Sequence, residues 1–95
     1  MFVLMGDAEL YLHGVRNLKQ KRMILKSCKD HMKNKFDLIV REDRFKDKWQ
    51  RTALVFVSAA DDRDLLVRLF EDALEFISRK YDVDILEENR EIICL

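Results

Sequence analysis

Proline is absent from the chain and glycine occurs only at positions 6 and 14. No stretch has the Pro-, Gly- or Ser-rich makeup of a linker, and no glycine-rich loop is available to cradle a phosphate. Internal repeats and low-complexity segments are missing as well, so one domain over residues 1–95 is expected. The two cysteines, Cys28 and Cys94, have neither CxxC spacing nor a histidine cluster beside them. They read as reduced thiols, and nothing in the sequence has the spacing of metal ligands. No apolar run approaches the roughly 18–20 residues that span a bilayer, and Met1-Phe2-Val3-Leu4-Met5 passes into Asp7 and Glu9 without a basic leader. A cytosolic protein with no membrane partner is expected. Nucleophile-elbow and cofactor-binding motifs are equally absent, which points away from an enzyme and implies no cofactor.

What is present is a chain rich in both core-forming and charged residues. Hydrophobic residues make up 48% and charged residues 38%, too apolar for disorder and too charged for a membrane interior. The zero net charge hides a strong asymmetry. Residues 16–36 carry eight bases against Asp30 alone, a net +7, whereas residues 61–95 carry eleven acids against five bases, a net −6. A split of this size implies a polyanion-facing side, or complementary contact within or between chains.

Periodicity sets the element order. Residues 2–12 alternate as a strand, with Phe2, Leu4, Gly6, Ala8, Leu10 and Leu12 on a wholly apolar face. Asn17-Leu18-Lys19-Gln20 has the form of a capping box, so a helix starts near Leu18 and runs to about Lys35. Leu18, Ile24, Leu25, Cys28 and Met32 form its buried stripe, and Lys19, Arg22, Lys26, Lys29 and Lys33 form a cationic stripe beside it. Strand character resumes over 36–42, a charged connection follows, and the nearly all-apolar 52–58 reads as a central strand. Asp61-Asp62-Arg63-Asp64 opens a second helix that buries Leu66, Leu69, Phe70, Ala73, Phe76 and Ile77 up to about Lys80. A last strand spans Val83 to Ile93. This order predicts an α+β sandwich of the split β-α-β type, with two helices on one face of a four-stranded antiparallel sheet. The opposite face, carrying Val3, Met5 and Tyr11, is left without cover and favours protein contact, with a homodimer through it as the expected assembly.

Two constellations stand out as candidates for function. The first helix opens with Arg16, Lys19, Lys21 and Arg22, although cations there oppose the helix dipole by about 0.3–1 kcal/mol each. An anion held at that end reconciles them; a solvated cationic face is the plainer reading. Lys21 is the odd member, since its angle places it within the apolar stripe, where it either snorkels or overhangs the sheet edge toward a ligand. In Asp47-Lys48-Trp49-Gln50-Arg51 the only tryptophan lies between a polar loop and a strand. Trp49 either closes one end of the core, the more usual role, or stacks a base while Gln50 and Arg51 bond to phosphates or base edges. The third strand, with one aromatic and no glycine, does not fit the RRM pattern. His13 is at most an assistant to anion binding, His31 flanks the buried stripe, and Asp7 with Glu9 reads as a structural carboxylate pair.

With Arg16-Asn17-Leu18-Lys19-Gln20-Lys21-Arg22 and Asp47-Lys48-Trp49-Gln50-Arg51 side by side, the chain resembles the YlxP-like family of small bacterial proteins of unknown function. That family's motifs read like R-S-L-K-E-K-R and D-x-W-Q-R, the latter at the start of the third strand. Asn17 stands in place of Ser, Gln20 in place of Glu and Asp37 in place of a common Asn; the first two preserve the capping box, and Gln20, by removing an acid, makes the helix start more cationic. The resemblance implies a ferredoxin-like βαββαβ fold and, because relatives are associated with translation and ribosome-maturation genes, a link to RNA or the ribosome. Taken together, Arg16, Lys19, Lys21, Arg22, Lys26, Lys29, Lys33, Trp49, Gln50 and Arg51 form the expected RNA- or anion-binding set, and no catalytic or metal site is expected.

Overall fold

The computed structural model describes residues 1–95. Strand Phe2–Leu12 (β1) is followed by helix Leu18–Phe36 (α1), strands Ile39–Arg44 (β2) and Arg51–Ala60 (β3), helix Arg63–Lys80 (α2) and strand Val83–Cys94 (β4). The sheet order is β2-β3-β1-β4 and every pairing is antiparallel, which is the ferredoxin-like α+β arrangement. No helix is long and apolar enough to cross a membrane.

The even-numbered face of β1 is apolar because it must meet the helices, and Leu4, Ala8, Leu10 and Leu12 are each no more than 2% exposed. Leu54 and Phe56 of β3 continue that layer, and Leu25, Cys28 and Met32 of α1 with Leu66, Phe70, Ala73 and Ile77 of α2 close over it. Gly6 is required by this closure: a Cβ there would stand 2.6 Å from Phe70 Cε1, so only a bare backbone lets α2 settle on β1. Cys28 lies in this core and Cys94 is exposed, both as free thiols.

Local signals explain the helix ends. Asn17 Oδ1 accepts from the Gln20 N–H at 2.9 Å, and Gln20 Oε1 accepts from the Arg16 N–H at 2.8 Å, so the reciprocal cap closes one residue earlier than in the usual box. At the other end Asp37 adopts the left-handed conformation (φ 54°) and returns its N–H to Met32 O, so α1 extends one residue past the expected Lys35 and β2 starts only at Ile39. At α2, Asp62 Oδ1 accepts from the Asp64 N–H at 2.9 Å.

Antiparallel pairing with one crossover per helix brings the β1–α1 connection, the β2–β3 connection and the N-terminus of α1 to one end of the sheet. The two sequence constellations therefore meet in space.

Candidate functional site

Lys21 is where they meet. Its angle on α1 turns it toward the sheet, and it is only 2% exposed, as buried as the apolar side chains of the core. The ammonium has three N–H donors and three oxygens receive them: Glu42 Oε2 at 2.7 Å, Phe45 O at 2.6 Å and Lys48 O at 2.7 Å. Thr52 Oγ1 donates to the same Glu42 oxygen at 2.7 Å. Every member of this cluster is satisfied, which is the condition for a buried charge to be tolerated. The expectation of a ligand-reaching or snorkelling Lys21 is thus corrected: with no donor left over, it anchors the β2–β3 connection from below.

The anchored loop carries the second constellation. Lys48 N–H closes a turn onto Phe45 O at 3.0 Å, Phe45 takes a left-handed φ of 65°, and Gln50 O accepts from the Leu12 N–H at 2.8 Å. Two guanidinium groups face the Phe45 ring, Arg44 at 5.5 Å and Arg51 at 5.0 Å from its centroid. Arg51 is also held by Glu9 at 3.1 Å, so its head group is oriented before any ligand arrives. Trp49 projects from this frame with 53% of its surface exposed. The expectation that it closes the core is corrected too; Lys21, reaching in from α1, fills the space under the loop instead. Phe45, Asp47, Lys48, Trp49, Gln50 and Arg51 line an open pocket of about 360 Å³.

A second groove of about 300 Å³ runs between α1 and β2, lined by Arg22, Leu25, Lys26, Lys29, Asp30 and Glu42. Glu42 lines this groove and pairs with Lys21, whose ammonium also holds the Phe45 and Lys48 carbonyls of the loop. Lys19, Arg22, Lys26 and Lys33 are exposed and Lys29 is half-buried, and none of the five enters an ion pair. Five unneutralised cations on one helix stripe run for about 21 Å at 1.5 Å per residue.

The remaining candidates scatter. Arg16 is exposed at the mouth of the β1–α1 turn. His13 Nε2 pairs with Asp84 at 2.8 Å, its ring edge-on to Tyr11. His31 packs on Phe76 with ring centroids 5.3 Å apart. Asp7 and Glu9 each have a partner of their own, Asn89 at 3.2 Å and Arg51 at 3.1 Å, rather than forming a carboxylate pair. Sequence reasoning passed over Phe45, Arg44, Glu42 and Thr52. For Glu42 a signal exists: it shares strand parity with Leu38 and Val40, both buried, and so points inward as Lys21 does.

A ferredoxin-like sandwich whose one end combines an anchored aromatic loop with an unneutralised basic helix defines the class. The chain belongs to the family described as "Protein of unknown function (DUF503)", which matches residues 3–90. Among curated proteins it is similar to the "Uncharacterized protein YlxP" of Bacillus subtilis (strain 168), 28% identical over 72 residues that cover 76% of this chain and 78% of that one. In backbone it resembles the structural-genomics protein YJCS, with a TM-score of 0.64, 6% identity and coverage of 97% and 99% of the two chains. It also resembles SnoaB, a cofactor-independent oxygenase from Streptomyces nogalater, with a TM-score of 0.51, 10% identity and coverage of 100% and 94%. At such identities these likenesses speak to the fold alone.

Proposed function

We propose that the protein binds RNA, alone or within a ribonucleoprotein, with the stripe Lys19, Arg22, Lys26, Lys29 and Lys33 meeting phosphates and Trp49 stacking an unpaired base. The observation that carries this reading is the exposed Trp49 on a loop held from below by a buried, fully satisfied Lys21. A large ring held out in water by a rigid frame suits stacking, and five unpaired cations on α1, the helix whose Lys21 holds that loop, suit a phosphate backbone. Phosphate contacts supply affinity with little sequence choice. Lys21 acts in this reading as a positioning residue and makes no contact with the nucleic acid.

The test is a titration with single-stranded RNA at two salt concentrations. Five phosphate contacts predict a log–log slope near −3.5, a loss of about 100-fold between 50 and 200 mM salt. Replacing Lys26 and Lys29 by Glu should abolish binding while circular dichroism stays unchanged. Salt-independent binding, or full affinity in that variant, would overturn the proposal.

A second reading has its own observation. Ile39, Val57 and Met5 lie on one cross-strand rung of the open sheet face, 55%, 37% and 47% exposed, next to Val3 and Ile93 on the following rung. A second copy of this chain is the occupant that fits. A twofold axis parallel to the strands sets β2 of one protomer, with Arg41, over β4 of its partner, with Glu87 and Glu91, so opposite charges flank the apolar rungs. Sedimentation at micromolar concentration should then give twice the 11.4 kDa chain mass, and a monomer removes the interface.

A further inference from the structure

Asp47 is the one acid in a loop otherwise built from Phe45, Lys46, Lys48, Trp49 and Gln50. It lines the same pocket as Trp49 and Gln50, is exposed, and enters no ion pair even though Lys46 and Lys48 flank it. Both of its oxygens are therefore free acceptors at the rim of a stacking surface. A phosphate-binding site gains nothing from a carboxylate, which repels the backbone it is meant to hold. Base recognition does gain from one.

The four bases differ in what they show a carboxylate. Guanine presents N1–H and N2–H side by side, two parallel donors that match the two oxygens of an ionised Asp. Adenine and cytosine place their amino group beside a ring nitrogen that accepts, and uracil flanks its single N–H with two carbonyl oxygens. Each of these three sets an acceptor against the second carboxylate oxygen. Gln50, on the same pocket wall, offers an amide N–H for a guanine O6. We infer that this pocket selects a guanine base, stacked on Trp49 and read along its Watson–Crick edge by Asp47, with Gln50 donating to O6. The inference rests on the RNA-binding reading for its strand, but the base pocket can be probed without the basic helix.

The only tryptophan of the chain is the reporter. The full chain is titrated with a 12-nucleotide uridine strand and with the same strand carrying one central guanine, or one central adenine, following Trp49 fluorescence. The guanine strand should bind about tenfold more tightly than the other two and quench Trp49. In Asp47→Asn the guanine preference should vanish while the uridine strand binds at least as tightly, since the charge that repels its backbone is gone. A second arm uses free GMP against AMP at millimolar concentration, where selective quenching by GMP supports the pocket whether or not the helix binds a strand. If no strand binds but GMP quenches selectively, the RNA reading fails and the base site stands, for a free guanine nucleotide. Equal quenching by the two nucleotides, equal strand affinities, or a preference that survives Asp47→Asn overturns it.

Discussion

Replacing Lys21 by Met tests whether the buried ammonium holds the two constellations together. Met has similar length and keeps the apolar stem but removes all three donors. The Glu42 carboxylate, with a side chain 15% exposed, is left with the Thr52 hydroxyl alone. Phe45 O keeps the Lys48 N–H at 3.0 Å, so the Lys48 carbonyl is the one loop acceptor that loses this donor with no other hydrogen bond to replace it. Removing one partner of a buried ion pair costs roughly 3–5 kcal/mol, and the residual water access of Glu42 puts this case near the lower end. At about 4–8 °C per kcal/mol for a chain of this size, a loss of about 3 kcal/mol lowers Tm by about 12–24 °C. Adding Glu42→Gln neutralises the stranded charge and keeps an acceptor for Thr52, so the double variant should regain roughly half of the loss. Thermal unfolding followed by circular dichroism measures both. A fall of less than about 5 °C in Lys21→Met, or a double variant no more stable than the single, would refute the assignment of Lys21 as the anchor.

Trp49→Ala should leave Tm within a few degrees, below about 1 kcal/mol, because the ring is half in water; a loss of about 3–5 kcal/mol would place it in the core. Gly6→Ala should lower stability by about 1–3 kcal/mol by driving a methyl group into Phe70, and adding Phe70→Leu should restore part of it; an unmoved Tm would refute the close approach of Phe70 to the β1 backbone. A thiol reagent should label Cys94 quickly and Cys28 only on unfolding, since burial pushes the Cys28 thiol up to about 12; rapid labelling of both contradicts that burial. The same shift makes stability fall as pH rises from 9.0 toward 12, because the unfolded chain releases the Cys28 proton first. Tyr81, raised by burial, acts in the same direction, and an alkaline titration that leaves Tm flat would count against both.

The order of elements was legible in the chain because each periodicity is a local property. The two-residue alternation of 2–12 reproduces the β1 boundaries residue for residue, and the apolar stripe on 18–36 identifies the buried face of α1 from Leu25 through Met32. At the α1–β2 junction the boundary moved through a backbone feature with no strong sequence signal, the left-handed Asp37, which lengthens α1 and postpones β2; β2 also runs on to Arg44, and β3 spans Arg51–Ala60, beyond the expected 52–58. The helical angle of Lys21, inside that stripe, was equally a matter of sequence. Its fate was not. A lysine at a core position becomes exposed, snorkelling or buried according to which oxygens the rest of the chain brings within reach, and those come from residues 21 to 27 positions away. Only the tertiary structure, by laying β2 and its turn across the start of α1, supplied the three acceptors that make burial of the charge tolerable. The exposure of Trp49 follows from the same event, because a loop propped on an ammonium has no cavity beneath it for an indole to enter.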